Sequence, residues 1–152
     1  MQIIACGNPQ RGDDGAGWLV VDRLRELGIE ALGVRTNTCW GEATGLLSAW
    51  GGDDHLILVD AVVTGAPVGT VHRWEGIPPA ANRPSASTHG LGVIQALRLA
   101  HVLGCVPKLL EVYGIEGKRF EPGSPPSPKV KAAAEDLAQQ IHTTIRAGQT
   151  PK

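Results

Sequence analysis

The sequence predicts an α/β protein, a three-layer sandwich in which a mostly parallel, five-stranded sheet carries helices on both faces. Two observations support this fold class. Short apolar runs alternate along the chain with segments of helical periodicity, which is typical of strand–helix units. Residues 56–59, Leu-Ile-Leu-Val, form a continuous apolar run, as expected of a central parallel strand that is covered on both faces.

The first half of the chain is predicted to form three strands and two helices. A strand over 3–6 ends in the turn Gly7-Asn8-Pro9, and a helix opens at Asp13-Asp14-Gly15 and closes near Gly28. The remaining elements of this half are a second strand, a short helix and the apolar third strand, at 32–39, 42–50 and 56–59.

The second half continues the alternation. We expect strands at 68–74 and 109–115, a helix at 90–103, and long loops at 76–88 and 116–126. The last helix begins with Ser127 at the N-cap and Pro128 at the first helical position. Residues 1–146 are thus predicted to form a single domain, and residues 147–152 a frayed tail.

Composition excludes several classes of function. The 152 residues carry 14 Lys and Arg against 15 Asp and Glu, so the net charge of −1 predicts neither a nucleic-acid nor a membrane partner. The three cysteines are widely spaced and form no metal-finger pattern, which favours a reducing, cytoplasmic setting. No apolar run reaches the length of a membrane span, and the N-terminus is typical of a strand and not of a signal peptide. A monomer is expected.

The glycine-rich first turn, residues 7–17, does not match a nucleotide-binding loop. It has neither the GxGxxG spacing nor the GK[ST] ending of a P-loop, and two consecutive carboxylates there would repel a phosphate. One of Asp13 and Asp14 is expected to cap the following helix. The other is then expected to face the crevice at the edge of the sheet.

Two further side chains are candidates for the same crevice. Asp60 ends the most apolar strand, at the sheet edge where α/β proteins build their sites, although an aspartate there could also serve a turn. His89 stands between a long loop and a helix start, where the helix dipole favours neutral imidazole. A surface loop histidine is the alternative. Together with Asp14, these residues could form a three-ligand metal site with an open position.

The ordered motifs of the chain resemble those of the hydrogenase maturation protease family. They are the first turn with Gly7, Asn8, Gly12, Asp13, Asp14, Gly15 and Gly17, followed by 59–61, 87–90, 113–116 and 127–130. The resemblance covers nearly the whole chain and implies a peptidase that removes the C-terminal peptide of a nickel-loaded [NiFe]-hydrogenase large-subunit precursor. By motif, Asp14, Asp60 and His89 are the catalytic and metal-contacting positions. Segment 40–45 matches the family only in part, which leaves its role open.

The resemblance and the residue chemistry together imply that the nickel belongs to the precursor and is not a permanent cofactor. A metal-bound water, or a water activated by a carboxylate, could attack the peptide. Two alternatives stay open. An aspartic-type protease would share one proton between Asp14 and Asp60, and a small-molecule or nucleotide-binding module would use the glycine-rich turn.

Overall fold

The sheet has five strands in the order β2-β1-β3-β5-β4, as found in a computed structural model. The structure describes residues 1–40, 43–79 and 88–149, with side chains for all of them except 43, 44 and 88–92. The strands are β1 Gln2–Cys6, β2 Arg35–Cys39, β3 His55–Val62, β4 Val71–Glu75 and β5 Leu109–Glu116. All pairings are parallel except that of the edge strand β4 with β5. The predicted mostly parallel, five-stranded sheet is confirmed.

Helices cover both faces of this sheet. They are α1 Ala16–Glu26, α2 Ala43–Trp50, α3 Thr88–Leu103 and α4 Pro128–Gly148. The apolar sides of α1 and α4 pack in one buried cluster with the odd-numbered residues of β3, such as Ile57 and Val59. The apolar sides of α2 and α3 pack in a second cluster with the even-numbered Leu56 and Leu58. The period of two along a strand therefore divides the core into two layers, and the predicted sandwich is confirmed.

Strand order reverses at β1, which positions the candidate site. The chain leaves β1 toward β2 on one side and returns to β3 on the other side. Ala5 pairs with Val59, so the next residue of each strand, Cys6 and Asp60, lie side by side on the face that α2 and α3 cover. A crevice at the carboxyl ends of these two strands is the usual binding place in such folds.

Several element boundaries differ from the predicted ones. Residues Ile29–Leu32 form a 3-10 helix, so β2 begins at Arg35 and not at 32. Strand β4 lies three residues later than predicted at its start, at Val71–Glu75. Helix α4 runs to Gly148 and so includes two residues that were predicted to be tail. Residues 150–152 of that tail, and most of the predicted 76–88 loop, lie outside the described residues.

Gly17 brings α1 into direct contact with the strand backbones. A Cβ atom at this position would lie 2.4 Å from the carbonyl oxygen of Val59 and 3.1 Å from that of Cys6. No side chain fits in this space, so the first turn of α1 rests on β1 and β3 backbone to backbone.

Within the described part of the chain, no helix is both long and apolar enough to cross a membrane.

Candidate functional site

Asp60 lies within β3, whereas the sequence predicts that it ends this strand. The ladder continues past it through the pairs Ala61–Ile115 and Val62–Glu116, because β5 offers partners for two further residues. The carboxylate is buried, 4% exposed, and its Oδ1 accepts the backbone N–H of Ala61 at 2.8 Å. A bond of this kind is what a turn aspartate would make, yet the side chain stays on the α2/α3 face of the sheet.

Asp14 reaches the same place from the first turn. It belongs to the buried 3-10 turn Gly12–Gly15, which joins β1 to α1, and its Oδ2 accepts the N–H of Asn8 at 2.8 Å. Gly7 links the two acids, since a Cβ atom there would touch the backbone oxygen of Asp14 and lie 3.4 Å from Oδ1 of Asp60. The structure therefore brings two of the three predicted site residues together.

The negative charges of Asp14 and Asp60 both act on the pKa of the Cys6 thiol. Its pKa is raised well above the ordinary value by the hydrogen bond with Cys39, by burial, and by the negative charges of Asp60 and Asp14. The two sulfur atoms lie 3.3 Å apart on neighbouring strands. Cys6 is thus a buried, neutral thiol that lies close to both acids.

Asp13 does not cap a helix. Its Oδ2 accepts the backbone N–H groups of Lys118 and Arg119 and the hydroxyl of Ser127, and its Oδ1 accepts the N–H of Ser127. Burial acts to raise the pKa of Asp13, but these hydrogen bonds outweigh it and lower the pKa. The carboxylate therefore holds the segment between β5 and α4 against the first turn. We call this arrangement the Asp13 latch.

The prediction that Asp13 or Asp14 caps the following helix was consequently wrong. The residues that precede the 3-10 turn and α1 are Arg11 and Gly15, and neither provides a side-chain cap. Ser127 does occupy the N-cap of α4, with Pro128 following, but its hydroxyl bonds Asp13 and caps nothing. The signal that could have revealed this is the pairing of an acid with a serine at a loop end, but their separation by 114 positions hides it.

His89 is the second residue of α3, so its backbone lies in the first turn of that helix. Its side chain lies outside the described residues. Helix α3 packs on the face that carries Asp60, and its C-terminal end leads directly into β5. The N-terminal end of α3 therefore points to the carboxyl edge of the sheet, where Asp14 and Asp60 meet. Among the described side chains, no three His, Cys, Asp or Glu groups form a metal-binding set.

Two tryptophans border the site, although no sequence pattern assigned them to it. Trp18 of α1 donates its indole N–H to the carbonyl oxygen of Gly7 at 2.9 Å. Trp40, which is 50% exposed, meets Trp18 edge to face at 5.8 Å between ring centroids. Trp40 opens the segment 40–45, whose residues 41 and 42 lie outside the described part of the chain. An exposed aromatic side chain next to a crevice is suited to contact a polypeptide.

A further buried acid, Glu116, stands at the end of β5. Glu116 is 1% exposed, and its Oε1 accepts the N–H of Thr64 at 2.8 Å, the hydroxyl of Thr64 and a contact from Nε2 of His72 at 3.1 Å. The ring of His72 stacks on Trp74. Glu116 thereby fixes the start of the connection between β3 and β4, which follows the strand that carries Asp60.

Comparison with known proteins decides the family. A family model described as hydrogenase maturation protease matches residues 42–144. The chain belongs to the hydrogenase maturation protease family. It is therefore a peptidase, as the resemblance of its motifs implied. No match is found among curated protein sequences.

Solved structures of hydrogenase maturation proteases share this fold. The hydrogenase maturating endopeptidase HybD from E. coli is 24% identical, with a TM-score of 0.76 over 98% of this chain and 94% of that one. An Escherichia coli endopeptidase solved in solution is 25% identical, with a TM-score of 0.80 over 99% and 95%. The [NiFe] hydrogenase maturation protease HycI from Thermococcus kodakarensis KOD1 is 23% identical, with a TM-score of 0.70 over 95% and 92%.

Proposed function

We propose that this maturation protease removes the C-terminal peptide of a nickel-loaded [NiFe]-hydrogenase large-subunit precursor. One observation carries the proposal: Asp14 and Asp60 are both buried, both flank Gly7 where the strand order reverses, and the charges of both act on the thiol of Cys6. Burying two carboxylates beside each other is unfavourable unless a cation or a shared proton compensates their charges. A metal ion carried in by the substrate would provide that compensation only when cleavage is due.

The donor set suits recognition of a metal ion. Carboxylate oxygens and an imidazole nitrogen are ordinary ligands of divalent first-row metals, and a set of three leaves positions for the ion's existing ligands. His89 completes the set in this proposal, because it is the second residue of α3 and the first turn of that helix lies at the same sheet edge. The nickel ion is part of the substrate in this proposal and not a resident cofactor.

Asp14 and Asp60 would then align the scissile peptide. Contact with the ion in the precursor fixes the substrate's position, and either carboxylate can take the proton of the attacking water. Because both side chains receive backbone N–H groups, from Asn8 and Ala61, their orientations are set before the substrate arrives. The free thiols of Cys6 and Cys39 suit a reducing compartment, and we place the reaction in the cytoplasm.

A processing assay on nickel-loaded precursor tests the proposal. Asp14→Asn, Asp60→Asn and His89→Ala should each slow cleavage by about 10²- to 10⁴-fold, the usual contribution of a positioned acid–base or ligand group. Asp22→Asn is the matched control, since Asp22 is an exposed helix residue that pairs with Arg25. Thermal unfolding of each variant shows that the fold is kept.

The nickel content of the precursor provides the second arm. Metal-free precursor should remain uncleaved, and the addition of nickel should restore processing. Wild-type cleavage of metal-free precursor with an acid optimum would replace this proposal with an aspartic-type reaction, in which Asp14 and Asp60 share a proton. Cleavage at the wild-type rate by all three site variants would show that the site lies elsewhere.

A further inference from the structure

A cleft adjoins the candidate site at the first turn. It has a volume of about 630 Å³ and lies between the first turn, at residues 8–11, and the segment 122–126. Backbone hydrogen bonds join its two walls, from Gly12 N–H to Ser124 O at 3.0 Å and from Gly123 N–H to Gln10 O at 2.7 Å. The Asp13 latch also holds the residues on both sides of the 122–126 wall, Arg119 and Ser127, against the first turn. The cleft is therefore built by defined contacts.

Two residues that line the cleft are hydrogen-bonded to Asp14. Asn8 lines it, and the N–H of Asn8 donates to the Asp14 carboxylate. Arg11 lines it too, and the carbonyl oxygen of Arg11 accepts the N–H of Asp14 at 3.1 Å. A polypeptide whose scissile bond lies at Asp14 would thus have an adjoining segment within reach of this cleft.

Arg11 is the one charged side chain among the described residues that line the cleft. It is half-buried, and its Nε–H donates to the carbonyl oxygen of Phe120 at 3.2 Å. No carboxylate in the described ranges pairs with its guanidinium. Four further N–H donors of this planar group are therefore held in position by a bond at Nε, in the geometry that binds a carboxylate through two parallel hydrogen bonds.

The wall opposite Arg11 is stiff. Pro122, Pro125 and Pro126 have restricted backbones, so the wall loses little conformational freedom when a partner binds. Prolines also lack N–H donors, which leaves hydrogen bonding in the cleft to a few groups such as Arg11. A lining with one cation and no acid favours a segment that bears a negative charge.

We propose that this cleft binds the precursor segment next to the scissile bond, and that Arg11 pairs there with an acidic side chain of that segment. The inference rests on the proposed function, since it takes the hydrogenase precursor as the substrate. It adds a specificity-determining residue that acts in substrate binding and makes no contact with the reacting atoms. Arg11 should accordingly affect KM more than kcat.

Steady-state processing of nickel-loaded precursor by Arg11→Gln tests the inference. Loss of a charge-assisted pair should raise KM about 10- to 100-fold and change kcat less than about twofold. Arg11→Lys, which keeps the charge but not the fork, should give a smaller rise in KM. The control Arg98→Gln removes an exposed cation of α3 that does not line the cleft, so it should leave both constants unchanged.

A second set of measurements completes the test. It uses precursors in which one acidic residue near the scissile bond is replaced by its amide. For one of these positions, the amide should raise KM with the wild-type enzyme and have little further effect with Arg11→Gln, as expected of two groups that act as a pair. An unchanged KM for Arg11→Gln, or additive effects at every acidic position, would overturn the inference while wild-type processing keeps the proposed function. If wild-type enzyme fails to process the precursor, the proposed function itself fails.

Discussion

Replacement of Asp13 by asparagine should destabilise the protein, although the two side chains have nearly the same shape. Three donors converge on Oδ2 of Asp13 and a fourth reaches Oδ1. An amide can keep its oxygen at the Oδ2 position only by turning its NH₂ group toward the N–H of Ser127. That contact places donor against donor, so at least one hydrogen bond is lost and a part-buried N–H is left without an acceptor.

The size of the effect follows from these four contacts. Losing one hydrogen bond to a charged acceptor costs about 1.5–3 kcal/mol, and the remaining three bonds become neutral and weaker. Water can reach part of this region, which offsets some of the loss. We expect Asp13→Asn to lower the free energy of unfolding by roughly 3 kcal/mol, and hence Tm by about 6–12 °C for a chain of this size.

The effect should depend on pH with a defined sign. The pKa of Asp13 in the folded protein lies below the ordinary value of 3.8. The stability that its ionised form contributes is therefore complete above pH 3.8 and is lost as the pH falls through the folded pKa. The difference in stability between wild type and Asp13→Asn should be largest near neutral pH and should shrink in acid.

Urea unfolding followed by circular dichroism, at several pH values, measures both quantities. Asp136→Asn is the control, because Asp136 is an exposed α4 residue whose replacement should change stability by less than about 0.5 kcal/mol. A loss below about 1 kcal/mol for Asp13→Asn at neutral pH, or a loss that does not vary with pH, would refute the latch as described.

Three further outcomes follow from other contacts. Gly17→Ala should destabilise by about 1–3 kcal/mol because its Cβ would meet a strand carbonyl oxygen, whereas Gly45→Ala, with nothing within 4 Å in the described structure, should be neutral or stabilising in thermal unfolding. Glu116→Ala should lower the unfolding free energy by about 2–3 kcal/mol and Glu116→Gln by less, since the amide oxygen still accepts a hydrogen bond; equal losses would contradict this. Iodoacetamide should label exposed Cys105 in the native protein while buried Cys6, with its raised pKa, stays unmodified by mass spectrometry until the chain is unfolded.

Local patterns were sufficient for most of the fold. The apolar run at 56–59 identified the central strand because a strand covered on both faces admits few polar residues. The orientation of β4 was not predictable in this way. A five-residue edge strand has the same pattern in either direction, and its antiparallel pairing with β5 depends on a connection that Glu116 fixes from a distance.

The candidate site, too, was predictable from the sequence only in part. The meeting of Asp14 and Asp60 could be expected, since carboxyl ends of neighbouring parallel strands share one edge. The different roles of Asp13 and Asp14 could not be expected, because the hydrogen-bond partners of Asp13 follow it in the sequence by more than one hundred positions. The helix-start pattern placed Ser127 correctly at the N-cap of α4, but it did not show that the Ser127 hydroxyl bonds the Asp13 carboxylate and not a helix N–H.

The close packing at Gly17 bears on how this protein can vary. Because α1 rests on β1 and β3 through backbone atoms, the spacing between the turn that carries Asp14 and the strand that carries Asp60 does not depend on which side chains fill the core. Large and small residues can be exchanged in the layer under α1 and α4 while this spacing is kept. The distance between the two acids is in effect a property of the main chain, and a single added methyl group at Gly17 would be enough to alter it.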